Sequence, residues 1–289
     1  MGNTFINNSS YQGRLKESTQ LGAELLSDPS VDADAEILSM VVACLKTAGL
    51  RDFQISVGHA GFFGGLMEAA GLLEEQEEEL RELISNKNFF GVEEFVDTLS
   101  LDADLKELFK MLGTFYTGPD ELSGAKRCAK AYPRILAAIE ELEELHAILE
   151  VYEVARYISF ELGTISNYQY YTGIIFAGYT FGSGEPIVKG GRYDKLLTYF
   201  GKESASIGFA FVIDQLMAAL QRQKIDIPVE HQAKLIVYHQ ENRAEAISQA
   251  KELRGMGGCV ELAMWDSAKS KDDYTAYAKR NQITEVEFL

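Results

Sequence analysis

The chain has 289 residues, 27 basic against 44 acidic, for a formal charge of −17, with 46% hydrophobic and 25% charged residues. That length can carry a large core in one or two domains, and the composition suits a globular protein in water. The acidic balance argues against a nucleic-acid ligand, which needs clustered Lys and Arg for its phosphates; the longest charge run here is acidic, at Glu74–Glu79. No apolar stretch of about 18 residues exists to span a membrane, and the N-terminus lacks a basic-then-apolar signal pattern. Cys44, Cys128 and Cys259 are an odd set without C-x-x-C spacing. They argue against a disulfide framework or a zinc site, suit a reducing, cytoplasmic setting, and read as buried free thiols.

In chain order, Thr4-Phe5-Ile6 reads as a strand and Gly13 as a turn. Ala35, Ile37, Leu38, Val41, Val42, Leu45 and Ala48 recur at helical spacing, so residues 31–49 form a helix that Gly49 ends. Asp52 to Gly58 alternates as a strand. From about Ala60 to Ile158 the pattern is almost wholly helical, with one apolar stripe at Leu72, Leu73, Leu80 and Leu83 and another at Leu136, Ile139, Leu142, Leu145 and Leu149. The Glu runs at 74–79 and 140–144 read as solvated helix faces. Gly113, Gly118-Pro119 and Ser123-Gly124 read as loops within that block. Residues 159–216 return to strands and tight turns.

After Ile225-Asp226-Ile227-Pro228 the composition shifts. Lys234–Tyr238 is a strand, Asn242–Gly255 a helix and Cys259–Met264 a strand. Ser270 then caps a helix, with Asp273 three residues on as in a capping box, and Thr284–Leu289 closes a βαβαβ run. The predicted class is α+β. An antiparallel sheet core, from residues 3–25 and 168–212, carries a helical insertion at 60–158, and a small α/β unit follows. The domains are 1–231 and 232–289.

Within 159–216, Tyr170-Tyr171-Thr172-Gly173, Gly190-Gly191-Arg192-Tyr193-Asp194 and Ile207-Gly208-Phe209-Ala210 stand close together. Glycines admit close backbone approach, and tyrosines offer a flat apolar face with a hydroxyl. A strand carrying Tyr-Tyr-Thr-Gly, opposed by a Gly-Gly-Arg turn, can floor a small-molecule pocket; a glycine-kinked hairpin with a Tyr-rich face fits equally. His59, His146, His231 and His239 show no metal-binding spacing, and neither a G-x-x-x-x-G-K-[ST] loop nor a G-x-S-x-G elbow is present. No metal or cofactor is expected.

These blocks, in this order and spacing, resemble the catalytic core of histidyl-tRNA synthetase, a class II synthetase. Asn3-Thr4-Phe5-Ile6-Asn7-Asn8, Gly13-Arg14 and Gln20-Leu21-Gly22-Ala23-Glu24 are similar to that family's motif 2 and the histidine-binding segment after it, and Ile207 to Leu216 to its motif 3. Residues 7–17 resemble still more the synthetase-like regulatory subunit of ATP phosphoribosyltransferase, a paralogue with the fold but not the reaction. Against either, the chain looks N-terminally truncated, starting inside motif 2. Its last 58 residues or so look like part of an anticodon-binding domain.

The resemblance implies a histidine site built from Gln20, Glu24, Tyr170, Tyr171, Gly190, Gly191 and Arg192. Glu24 and the Tyr171 hydroxyl would engage the two ring nitrogens, and Gln20 the amino-acid head group. It also implies departures. The synthetase arginines that bind ATP or stabilise transfer fall at Ile6, Ser166 and Gln215. None of these side chains can neutralise a phosphate; Arg14 alone does not rebuild the site. The implied function is a non-catalytic regulatory subunit that binds free histidine, self-associates and partners the short-form catalytic subunit of ATP phosphoribosyltransferase. The alternatives are an active histidyl-tRNA synthetase and a synthetase-like scaffold without a ligand.

Overall fold

The computed structural model describes residues 1–5, 16–165, 170–227 and 233–289. Ile6, Asn7, Asn8, Gly13, Arg14, Ser166 and His231 lie outside them. The chain divides into two compact units, Met1–Ile225 and Asp226–Leu289.

The strands of the larger unit are β1 (Gly2–Phe5), β2 (Glu17–Leu26), β3 (Phe53–His59), β4 (Phe115–Tyr116), β5 (Ile158–Glu161), β6 (Ile174–Thr180), β7 (Val188–Arg192) and β8 (Ser206–Val212). They make an eight-stranded sheet in the order β1-β2-β8-β7-β6-β3-β5-β4. Every neighbouring pair is antiparallel except β3 and β5. That exception has a cause: two parallel strands cannot be joined by a hairpin and need a long crossover. The crossover is the helical block, α2 (Ala60–Ala70), α3 (Glu74–Ser85), α4 (Phe89–Thr98), α5 (Ala103–Lys110), α6 (Pro119–Cys128) and α7 (Pro133–Val151). Two further helices, α1 (Val31–Thr47) and α8 (Ile213–Arg222), follow β2 and β8.

Local chemistry sets several of these boundaries. Ser30 caps α1 by accepting from the Ala33 N–H, with Asp32 and Asp34 in the first turn, where the helix dipole favours negative charge. Just beyond α1, Gly49 takes a φ of 96°, which a residue with a Cβ resists. Asp102 caps α5 through the Leu105 N–H at 3.0 Å.

The sheet has two unlike faces, and its register shows how. One row across it runs Ala23, Phe209, Gly190, Phe176, Val57 and Phe160. Its large side chains join α1 and α7 in the main hydrophobic core. The next row points the other way: Glu24, Gly208, Gly191, Ile175 and Gly58. Beyond it on the same face come Gly22, Ala210, Lys189, Ala177, Ser56 and Ser159. Successive strand residues alternate faces, so one side is apolar and the other is a shallow, small-residue floor with isolated polar groups.

The smaller unit contains β9 (Ala233–Tyr238), α9 (Arg243–Gly255), β10 (Cys259–Met264), α10 (Lys271–Arg280) and β11 (Glu285–Phe288). Its sheet, ordered β10-β9-β11, is wholly parallel. Central β9 is buried on both faces. Leu235 and Val237 pack with Tyr274 and Ala278 of α10, while Ile236 packs with Ala246 and Ala250 of α9. A strand covered twice needs consecutive apolar residues, hence Leu-Ile-Val. The Ser270–Asp273 capping box forms as the sequence predicts.

Several expectations are corrected. Ser123 and Gly124 lie inside α6 rather than in a loop. Tyr170 to Gly173 forms the loop entering β6, not part of the strand. Gly190 and Gly191 are interior to β7 rather than a turn, because neighbours press on both faces there. Cys259 is exposed and Cys44 and Cys128 are half-buried, so the thiols are free but not core residues. Glu141 is not merely solvated: it accepts from His59 Nε2 at 2.8 Å.

Candidate functional site

The polar face of the sheet gathers most of the residues singled out in the sequence. Glu24 and Gly208 are cross-strand partners, and so are Gly208 and Gly191. The Glu24 carboxylate lies over Gly208, occupying the place where a Cβ there would project. The Tyr171 ring lies over Gly191, 2.7 Å from where its Cβ would stand. Tyr170 packs on Tyr171 with ring centroids 4.5 Å apart, and its hydroxyl lies 3.4 Å from that of Tyr171.

Tyr193 completes the cluster. It meets Tyr170 edge-on at 5.9 Å and donates its hydroxyl to Glu24 Oε2. Burial, then that carboxylate, pushes the Tyr193 phenol well above its usual range, so it remains a donor. Gln20 is on the same face of β2, four residues from Glu24, and half-buried.

Tyr171 also borders two cavities. One, of about 360 Å³, is walled by Phe63, Arg81, Arg134 and Ile165. The other, of about 420 Å³, lies over the sheet between Tyr171, Ala177, Lys189 and Glu161. Glu161 is buried there, accepting from Ser56 Oγ at 2.8 Å and from Lys87 Nζ at 2.9 Å.

The structure places Arg192 elsewhere. It lies two residues from Gly190 on the core side of β7, with its side chain only 6% exposed. Its Nε donates to Asp34 Oδ1 at 2.8 Å, and Nη2 stands 2.7 Å from the same oxygen. Further donations reach the carbonyls of Asp28 and Ser30, each at 2.9 Å, and Asp194 Oδ1 at 3.2 Å. Burial pulls this guanidinium down, and the carboxylates of Asp34 and Asp194 more than offset it. For Asp34 the balance runs the other way: burial lifts its carboxyl to about 6 despite the pull of Arg192.

This buried pin is tied to the tyrosine loop. Thr172 donates to Asp194 Oδ2 at 3.1 Å, and its N–H reaches the Arg192 carbonyl at 2.8 Å. Gly173 packs on the Arg192 stem, where a Cβ would come within 2.8 Å of Cδ. The Gly173 carbonyl accepts from the Ala60 N–H at 2.8 Å, beside His59. His59 Nδ1 accepts from the Gly61 N–H at 3.0 Å, so the proton shared with Glu141 sits on Nε2. That bond holds Glu141 below the usual carboxylate range, with burial opposing.

The structure thus brings together Glu24, Tyr170, Tyr171 and Gly191, while Gln20 stands two rows farther along the same face of β2. Gly190 supplies floor backbone beneath the larger cavity, and Arg192 anchors from the opposite side. Sequence reasoning gave no role to Tyr193, Gly208, Lys189 or Asp34. Tyr193 and Gly208 stood within the motif blocks, but only the fold brings them to Glu24, Gly208 by strand register and Tyr193 by its hydroxyl. Gln215, on α8, is a half-buried neutral amide. Among the described residues no group of three His, Cys, Asp or Glu is disposed to hold a metal, and no helix is long and apolar enough to cross a membrane.

Residues 1–216 match the histidyl-tRNA synthetase family profile. The ATP phosphoribosyltransferase regulatory subunit of Acetivibrio thermocellus is 38% identical over 91% of this chain and 62% of its own length. That of Caldanaerobacter subterraneus subsp. tengcongensis is 34% identical over 94% and 71%. The chain therefore spans roughly two thirds of these relatives. A crystal structure described as an ATP phosphoribosyltransferase regulatory subunit/histidyl-tRNA synthetase from Bacillus halodurans C superposes with a TM-score of 0.80 at 30% identity, covering 99% of this chain and 71% of the other. With its largely antiparallel sheet and helical crossover, the chain belongs to the histidyl-tRNA synthetase-like family of ATP phosphoribosyltransferase regulatory subunits.

Proposed function

We propose that this chain is the histidine-sensing part of a cytoplasmic ATP phosphoribosyltransferase and performs no adenylation itself. The observation that carries the reading is that Glu24 lies over Gly208 and Tyr171 over its cross-strand neighbour Gly191. A carboxylate and a tyrosine over adjacent positions of flat backbone suit an imidazole, which presents two ring nitrogens in one plane. A site built to bond both nitrogens rejects ligands that leave its polar groups unpaired. Gln20 would meet the amino-acid head group, the Gly190–Gly191 backbone would support the ligand, and Arg192 would act from beneath by fixing β7.

The sequence supports the lack of catalysis. Ile6, Ser166 and Gln215 stand where the resemblance places cations, and each lost donor costs on the order of 3–4 kcal/mol of transition-state stabilisation. The partner would be the short catalytic subunit, in an assembly in which the chain also self-associates. Feedback requires histidine to favour one state of that assembly, with a coupling of about 1–3 kcal/mol. The smaller unit would correspond to part of an anticodon-binding domain.

Two measurements test the reading. In calorimetry with free histidine, Glu24→Ala and Tyr171→Phe each weaken binding by about 1–3 kcal/mol while circular dichroism stays unchanged. If both variants bind like the parent, the pocket is wrongly placed. In a clean preparation, histidine-dependent ATP–pyrophosphate exchange stays at background; exchange above it would identify an active synthetase instead.

A further inference from the structure

Resting on the histidine reading, we propose that Lys189 holds the carboxylate of the bound amino acid, a role no motif assigns to it. Lys189 is two residues from Gly191 on β7 and faces the same side of the sheet. The strand rise puts the two positions about 6–7 Å apart, a span comparable to that between the ring and carboxylate of histidine. Its cross-strand neighbours on that face are Ala210 and Ala177, whose methyl groups leave the ammonium uncovered. Val188 and Gly190 are buried while Lys189 is exposed.

Among the described residues the Lys189 ammonium has no ion-pair or hydrogen-bond partner, in a chain carrying a net charge of −17. The cavity of about 420 Å³ has both Tyr171 and Lys189 in its wall, so a ligand lying in it meets both. The other charged groups of that wall leave Lys189 as the available cation. Lys87 is committed to Glu161 at 2.9 Å, and Glu185 is itself acidic. With neutral or apolar residues at Ile6, Ser166 and Gln215, Lys189 supplies the positive charge that an amino-acid carboxylate needs.

The test is calorimetry with L-histidine and L-histidinamide, which lacks the carboxylate charge, on the parent, Lys189→Met and Lys189→Arg. The parent favours histidine by about tenfold, a charge-assisted contact in a partly open site. Lys189→Met abolishes that preference by weakening histidine alone. Lys189→Arg retains it. If the parent binds histidine and Lys189→Met binds it equally well, with the preference intact, the role of Lys189 is refuted while the histidine site stands. If the parent binds neither compound, the histidine reading fails and this inference falls with it.

Discussion

Arg192→Met is expected to lower the unfolding free energy by about 3–5 kcal/mol at pH 7, the cost of removing one partner from a buried ion pair. Asp34 and Arg192 are 3% and 5% exposed, so neither charge has water to fall back on. The same substitution leaves the Asp28 and Ser30 carbonyls and Asp194 Oδ1 without the guanidinium they share. The loss has a signature in pH. With Arg192 in place the Asp34 carboxyl already stands at about 6, above its unfolded value. Without the guanidinium it rises further. A folded value above the unfolded one means that ionisation opposes folding: the penalty is missing below about pH 4 and grows as pH climbs through the folded value. Urea titrations should therefore show a smaller deficit for Arg192→Met at pH 5 than at pH 7. Glu141, held low by His59, has the opposite sign but is common to both proteins and largely cancels. An equal deficit at the two pH values would exclude Asp34 as the source.

Gly190→Ala and Gly208→Ala should separate stability from binding, although the two glycines lie on adjacent strands. At Gly190 a Cβ enters the core side and overlaps the Gly208 carbonyl oxygen and the Phe176 ring. Neither yields easily: one is backbone, the other a fully packed aromatic. A loss of about 3 kcal/mol follows from overpacking of that kind. At Gly208 a Cβ enters the opposite face, where the first atom in its way is the Glu24 carboxylate, the far end of a flexible side chain. The Ala23 carbonyl, at 2.7 Å, adds a smaller backbone cost. Gly208→Ala should therefore fold with a modest loss, yet bind histidine at least tenfold more weakly, because the methyl group stands permanently on the floor that the ring would occupy. Thermal melts and calorimetry on the two variants check this directly; the assignment of faces fails if Gly190→Ala melts like the parent.

The architecture was legible because it rests on local rules. Apolar spacing marks α1 and α7, and Gly49 and Ser270 mark ends. Lys234–Tyr238 reads as a strand. The site was legible only as a set of residue types. Register decides which side of a strand faces a ligand, and a shift of one residue reverses it. Gly190 and Gly191 look interchangeable in sequence, yet one faces Phe176 and the other Tyr171. Arg192 looks like a ligand-binding cation beside them and is instead a core pin, because Asp34 waits on α1, 158 residues away in sequence. A partner so distant leaves no local signature. Ser123-Gly124 misled for a related reason: Leu122 and Ala125 beside them are buried, and that tertiary burial overrides the weak helix propensity of the pair.

In the proposed histidine site, Tyr171 over Gly191 and Glu24 over Gly208 act as tethered competitors for the floor. A ring laid on those glycines first displaces the side chains that then clasp it. The apparent affinity is the intrinsic one multiplied by the fraction of molecules in which those side chains stand aside. On that reading the effector concentration at which the protein responds is set in part by residues outside the proposed contact set: Tyr193, which bonds Glu24 in place, and Thr172, which ties the tyrosine loop to the Arg192 backbone. The threshold can drift over evolution while the recognition chemistry stays fixed.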